Sequence, residues 1–293
     1  MNHSSTSSEL PDSVERLAAS VLGVATRRHS SSALLWRDGV AVGNASALWR
    51  ASSVSVVLPD GEQVQGEVRG VDGGTDLAAV TFASGTVAVA ERAADAAPRV
   101  GEFVFAVGRK PSGLVQASFG HVGSVAGEWR TWRGGRVERL IQLDGGLYPG
   151  LEGGPVADAS GRVLGIASSA FSRHHGIVLP VATVERVLEQ LLTHGRVQQG
   201  YIGIAAQPVR ATLDGNAVDG LLVSSVADDG PAARAGMKVA DVIVKVGGEP
   251  VGSLERLRDL LQVGTTVPIV VARGGQAHEL TVEVAQRPSS RCH

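Results

Sequence analysis

Val54-Ser55-Val56-Val57-Leu58-Pro59-Asp60-Gly61-Glu62-Gln63-Val64-Gln65-Gly66-Glu67-Val68-Arg69-Gly70 is the stretch whose reading decides the fold class. Pro59-Asp60-Gly61 is tight-turn chemistry: a preset φ, an acid that bonds its own backbone, and a residue free to take positive φ. After the turn, Val64, Gly66 and Val68 face one way and Gln63, Gln65 and Glu67 the other, the period of two of a half-buried strand. Val54–Leu58 and Gln63–Gly70 therefore read as a hairpin. Working outward, similar short apolar runs recur at Val21–Thr26, Phe103–Gly108, Val115–Val125, Val137–Leu143, Val163–Ser168 and Gly176–Leu179. No helical period separates them, which predicts a sandwich or a barrel. The first helical period is Val181–Thr193, with Val184, Val187, Leu188, Leu191 and Leu192 in helical spacing and Gly195 as its stop.

Beyond a linker at Arg196–Gly200 the pattern becomes mixed. Strands are expected at Ile202–Val209, Leu221–Val226, Val242–Val246, Val267–Arg273 and His278–Val284. They surround a short helical piece near Pro231–Ala235 and a helix over Leu254–Gln262, with Ser253 as N-cap and Glu255 in its first turn. The expected organisation is a polar N-terminal tail (1–16), a mainly β domain (17–195), a linker (196–200), a small α+β domain (201–288) and a tail (289–293).

Composition narrows the function classes. Hydrophobic residues make up 43% and charged residues 19% of the 293, which excludes a largely disordered chain. A net charge of −2 excludes a general nucleic-acid binder, and no apolar run reaches the length of a membrane span. The single cysteine, Cys292, forms no internal disulfide and reads as a solvated tail residue. The Ser-rich start, Met1 to Asp12, lacks the basic-then-apolar pattern of a secretory signal, so the cytoplasm is the expected location. No cofactor and no metal set is expected.

Scattered motifs then add up. Trp36-Arg37-Asp38-Gly39, Thr75-Asp76-Leu77-Ala78, Gln142-Leu143-Asp144, Pro149-Gly150, Gly153-Gly154-Pro155 and Gly161-Arg162-Val163-Leu164-Gly165-Ile166 come first. Gly195-Arg196-Val197-Gln198-Gln199-Gly200-Tyr201-Ile202-Gly203-Ile204, Gly230-Pro231-Ala232-Ala233, Ala235-Gly236-Met237 and Gly247-Gly248-Glu249-Pro250 follow. Each alone is weak. In this order, from about Ser20 onward, the chain resembles the HtrA/Deg serine proteases: a chymotrypsin-like double β-barrel followed by a PDZ domain.

The resemblance implies a His-Asp-Ser site in which the base takes the nucleophile's proton and the acid orients the base. The family's serine sits in G-N-S-G-G-P, and here the stretch is Gly150-Leu151-Glu152-Gly153-Gly154-Pro155. Its histidine sits in T-N-x-H-V, and here the stretch is Gly43-Asn44-Ala45-Ser46-Ala47. Glu152 and Ser46 thus stand at the nucleophile and base positions, and Asp76 alone is retained. A carboxylate attacks peptide bonds poorly and puts negative charge where an oxyanion needs donors worth on the order of 3–4 kcal/mol each. The expectation is a pseudoprotease, not an enzyme, in which Glu152 accepts N–H bonds from the former oxyanion loop at Gly150 and Glu152.

Other residues invite rival readings. Asp76 and Glu152 could form a working carboxylate pair, but no sugar-binding aromatic cluster or third ligand accompanies them. His174-His175 reads as an exposed loop and His121 as a structural strand residue; a metal would need further ligands. Trp129 and Trp132, among Arg130, Arg133 and Arg136, could bind a partner or an anion. Tyr201-Ile202-Gly203-Ile204 has the form of a PDZ carboxylate-binding loop, with Leu257 and Leu261 expected to line the pocket for the ligand's last side chain. The function expected is a non-catalytic peptide- or protein-binding scaffold that captures a partner's C-terminus or an extended segment. A homotrimer or a hetero-complex is the expected assembly. Residual or altered serine-type hydrolysis and chaperone-like holding are the alternatives.

Overall fold

The computed structural model describes residues 6–93, 97–213 and 215–286. Cys292 and the expected tail 289–293 lie outside the described residues. The chain divides into two compact units between Val197 and Gln198.

The first unit holds two closed six-stranded barrels. β1 (Val21–Ala25), β2 (Ser30–Arg37), β3 (Val40–Asn44), β4 (Ser53–Val57), β5 (Gln63–Asp72) and β6 (Leu77–Thr81) close in the order β1-β2-β3-β6-β5-β4. The 54–70 stretch forms the antiparallel β4–β5 pair, with Val57 opposite Gln63. Val54, Val56, Leu58 and Val80 fill this barrel. The second barrel is built from β7 (Phe103–Arg109), β8 (Val115–Ala126), β11 (Leu140–Leu143), β12 (Pro155–Asp158), β13 (Val163–Ser168) and β14 (Ile177–Pro180). A small ribbon of β9 (Trp129–Arg130) and β10 (Arg136–Val137) precedes β11. Val137 and Leu140 therefore belong to separate strands, not to one continuous run.

Helix α3 (Val181–His194) packs Val184, Val187, Leu188 and Leu191 into the main core, and Gly195 ends it at φ 71°. Trp36 Nε1 and the Arg37 guanidinium both donate to Glu185 on this helix, which pins it to the first barrel. One boundary needs correction. The polar tail expected over 1–16 is helical from Thr6: α1 spans Thr6–Ala18. Leu10, Val14, Leu17 and Ala18 recur at helical spacing and pack on the main core, a stripe hidden by the Ser and Glu around it. Between β3 and β4 lies the single turn α2 (Ala45–Leu48).

The second unit is a six-stranded sheet, five of its strands in the order β16-β17-β18-β20-β21 and the sixth, β19, paired with β18 off that path. The five are β16 (Ile204–Leu213), β17 (Asn216–Val226), β18 (Val242–Val246), β20 (Thr266–Arg273) and β21 (Gln276–Glu283). β15 (Gly200–Tyr201) pairs with β22 (Ala285–Gln286), and β19 (Glu249–Pro250) pairs with β18. Two short helices complete it, α4 (Pro231–Arg234) and α5 (Leu254–Leu260). Ser253 caps α5, its hydroxyl accepting the Arg256 N–H at 3.1 Å. The mainly β architecture agrees with the sequence reading. The buried strands β2, β3, β6 and β12 had no separate signal in it.

Candidate functional site

Asp72 shapes the turn that delivers Asp76. Its carboxylate accepts from the Gly74 and Thr75 N–H groups and from the Thr75 hydroxyl. Asp76 then sits at φ 59° and is 1% exposed. Its Oδ1 accepts the Ser46 N–H at 2.9 Å, while Oδ2 accepts Ser168 Oγ at 2.7 Å and Asn44 Nδ2 at 2.9 Å. Burial pushes this carboxyl above its ordinary 3.8, against hydrogen bonds from Ser168 and Ser46 that hold it down.

The sign of that shift gives a test. An acid raised in the folded state contributes stability that is complete below its ordinary value and lost as pH rises through the raised one. Asp76→Asn is expected to remove this part of the pH dependence, read from denaturation midpoints between about pH 3 and pH 7. It should also cost about 1–3 kcal/mol, because the amide nitrogen opposes donors that now meet a carboxylate. A variant with the wild-type pH slope would contradict the assignment.

Glu152 lies on the turn between β11 and β12. The Pro149 carbonyl accepts Gln116 Nε2 at 2.8 Å, and the Gly150 carbonyl accepts Ser32 Oγ at 2.6 Å. The Ser32 N–H donates to the Glu152 carbonyl at 3.1 Å. Within this frame the Gly150 N–H donates to Glu152 Oε2 at 3.0 Å. Ser169 Oγ lies 3.5 Å from Oε1.

The sequence-predicted positions thus gather in two groups. Ser46 meets Asp76 through its backbone and is itself exposed. Glu152 engages Gly150, while neighbouring Ser168 and Ser169 meet Asp76 and Glu152 respectively. Sequence reasoning missed Asn44, Ser168, Ser32 and Gln116. Asn44 and Ser168 carry one available signal: each is a polar residue closing an apolar strand, and both are buried.

The rival residues stay apart from this cleft chemistry. His121 is exposed, with Nδ1 3.4 Å from Asp144 Oδ2 and its ring edge-on to Phe103. His175 Nδ1 lies 3.2 Å from the Leu143 carbonyl. No group of His, Cys, Asp and Glu suited to a metal occurs among the described residues. Trp129 packs edge-on against Phe171, whereas Trp132 is 73% exposed beneath the Arg133 guanidinium.

In the second unit the Ile202 carbonyl accepts the Ala232 N–H and the Gly203 carbonyl accepts the Ala227 N–H, both at 2.8 Å. These bonds fold Tyr201–Ile204 into a loop that leads straight into β16, an edge strand of the sheet. The sequence reading puts Leu257 and Leu261 at the wall of a ligand pocket. They are 4% and 7% exposed and sit in the core with Ile202 and Met237. α5 ends at Leu260, so Leu261 lies just beyond the helix.

Comparison with known proteins extends this picture. A trypsin-like peptidase domain family matches residues 24–166, and a PDZ domain family matches residues 222–273. A protein of Brucella suis named as a probable periplasmic serine endoprotease, DegP-like, is 34% identical over 278 residues, 89% of this chain and 53% of that one. A protein of the same name from Halomonas elongata is 31% identical over 277 residues, 90% of this chain and 58% of that one. The chain thus spans about half the length of these curated relatives. Among solved structures, a serine endoprotease from Yersinia pestis superposes with a TM-score of 0.79 at 26% identity, covering 95% of this chain and 98% of that one. The HtrA-type protease AlgW with a tripeptide gives a TM-score of 0.76 at 26% identity, covering 95% and 97%.

Two expectations are overturned here. The reading as a non-enzyme, a pseudoprotease serving as a scaffold, is corrected by relatives named serine endoproteases and a neighbour titled an HtrA-type protease, which point to an enzyme. The cytoplasmic location is corrected by curated relatives named periplasmic.

Proposed function

We propose that this chain, which belongs to the HtrA-type serine proteases, is a periplasmic hydrolase of protein substrates that holds a C-terminal or extended segment in its PDZ domain. The observation that carries the hydrolytic half is the trypsin-like cleft itself: a buried Asp76 with three donors, and a Gly150 N–H directed at the side chain of residue 152. The Tyr201–Ile204 loop beside an edge strand supports the capture half, since such strands take on an added peptide strand.

The residue identities constrain the chemistry. With serine at 46 and glutamate at 152, no acyl-enzyme forms on residue 152. Hydrolysis here is direct: the Glu152 carboxylate takes a proton from water, the water oxygen bonds to the scissile carbonyl carbon, and the C–N bond breaks as the proton passes to the leaving amine. General-base help of this kind supplies on the order of 10²–10⁴ in rate. Turnover is therefore expected to be slow beside that of a serine–histidine couple.

The test is proteolysis of a reduced, unfolded protein, followed by mass spectrometry of the fragments. Slow cleavage by wild type that disappears in Glu152→Ala supports the reading. Cleavage that survives in Glu152→Ala removes Glu152 from the chemistry, and no cleavage by wild type overturns the hydrolytic half. Recovery of the protein in the cytoplasmic fraction of its source cell would overturn the location.

A further inference from the structure

A cavity of about 200 Å³ lies apart from the cleft residues, lined by β7, β8, β12 and the turn at residues 143–148. Asp76, Glu152, Ser168 and Ser169 take no part in its walls. Those walls combine the buried Val104, Phe105 and Val156 with two rings left exposed, Phe119 on β8 and Tyr148 on the turn. Phe119 is held from behind, stacked on Phe103 at 6.2 Å between centroids and tilted against Phe105 at 6.3 Å. The volume is below the ~300–1,000 Å³ of small-molecule sites, so the cavity suits a single side chain and not a whole ligand.

Asp144 supplies the charge. Its N–H donates to the His121 carbonyl at 3.0 Å, and its Oδ1 accepts the His121 N–H at 3.1 Å. The glycines of β8 make room for it: a Cβ on Gly120 would lie 3.0 Å from Oδ1, and one on Gly123 would lie 3.0 Å from the Asp144 nitrogen. The bond from the His121 N–H holds this carboxyl below the ordinary carboxylate range, so it is ionised at neutral pH. Oδ2 stands 3.4 Å from His121 Nδ1, longer than a normal N–H···O bond, and keeps lone pairs for a further donor. Among the described residues the rings that carry a guanidinium are Trp36 and Trp132, so Phe119 and Tyr148 have no internal cation over them.

We propose that this cavity docks an arginine side chain of an extended protein partner, the guanidinium stacked on Phe119 and Tyr148 and paired with Asp144. The inference goes beyond the function proposed above and holds whether or not Glu152 hydrolyses a bond. An ionised carboxylate beside exposed aromatic faces is complementary to a cation. A planar guanidinium meets both at once, by stacking and by its fork of donors. An ammonium is more strongly hydrated and has no plane to stack, so lysine fits less well.

The experiment uses the full chain with 13C-labelled tyrosine. The chain has two tyrosines, so Tyr148 reports on the cavity and Tyr201 on the 201–204 loop. The probe is acetyl-Ala-Ala-Arg-Ala-Ala-amide, blocked at both ends so that it offers that loop no carboxylate. Two control peptides carry lysine or the neutral isostere citrulline in place of arginine. The Tyr148 ring resonances are expected to shift and saturate with the arginine peptide, more weakly with lysine and not with citrulline, while Tyr201 stays in place. Asp144→Asn keeps an acceptor for the His121 N–H, and Phe119→Leu keeps an apolar fill. Each should weaken binding of the arginine peptide about two- to thirtyfold, the span of one cation–ring contact, with circular dichroism confirming the fold. Tyr148 resonances that stay still, or that respond equally to citrulline or lysine, overturn the proposal in the wild-type chain alone. Wild-type affinity in Asp144→Asn or in Phe119→Leu overturns it as well.

Discussion

Arg109→Met is expected to cost the double-barrel unit about 3 kcal/mol or more, because it strands three buried carbonyl acceptors at about 1–3 kcal/mol each. The guanidinium is 5% exposed. Its Nε donates to the Val21 carbonyl at 2.7 Å, Nη2 to the Ala18 carbonyl at 2.9 Å and Nη1 to the Gly113 carbonyl at 3.0 Å. Ala18 is the last residue of α1, where helix carbonyls have no intrahelical partner and a cation is favoured. Val21 opens β1, and Gly113 lies in the turn between β7 and β8. One side chain thus closes the helix end, the first barrel and the second. Desolvation lowers its proton affinity, yet an arginine stays charged at any ordinary pH. Methionine fills much of the volume, so the loss read in denaturant midpoints reports mainly the three stranded carbonyls, each worth about 1–3 kcal/mol before water reaches them. Arg109→Lys should recover only part, because a single ammonium cannot span the fork. Amide exchange should accelerate first in α1. A loss below about 1 kcal/mol would mean that water replaces the guanidinium freely.

The reach of those bonds explains what the sequence could and could not disclose. The β4–β5 hairpin was legible because its turn chemistry and its period of two lie within 17 residues. α3 was legible because Val184, Val187, Leu188 and Leu191 recur at helical spacing. β6, reading Leu-Ala-Ala-Val-Thr, is buried almost throughout and so has no alternation to betray it. Within the site, Ser46, Asp76 and Glu152 were placed by resemblance to the family's motifs, whereas their partners were not. Ser168 meets Asp76 across 92 residues, and Ser32 meets Gly150 across 118. Only closure of the barrels brings such pairs together, and nothing in the flanking sequence encodes it. Leu257 and Leu261 show a different limit of spacing. An apolar i, i+4 pair looks the same whether it faces a groove or a core, and here the core takes it.

Gly203→Glu is expected to weaken binding of a C-terminal peptide by about 10–100-fold, or roughly 1.4–2.8 kcal/mol, while the second unit stays folded. Gly203 sits at φ 82°, and a Cβ there would lie 3.1 Å from the Gly230 Cα and 3.5 Å from Ala227 Cβ and Pro231 Cδ. Any side chain therefore strains the loop. Glutamate adds a negative charge beside backbone N–H groups suited to the ligand's carboxylate. The strain stays local because the unit is closed elsewhere. Asp241, 1% exposed, accepts Arg273 Nε at 2.7 Å, Arg273 Nη2 at 2.8 Å and the Lys238 N–H at 2.8 Å. Ile202, Val246, Leu257 and Ile269 keep the core. Gly203→Ala carries the φ strain without the charge, so its affinity should fall between the two, and only the glutamate variant should recover in part as added salt screens the repulsion. The measurement is fluorescence anisotropy with a labelled peptide ending in an apolar residue, with far-UV dichroism to confirm folding. Equal affinity in wild type and Gly203→Glu would move peptide capture away from the 201–204 loop. Binding that is unaffected by amidating the peptide's C-terminus would leave β16 pairing, and not carboxylate recognition, as its basis.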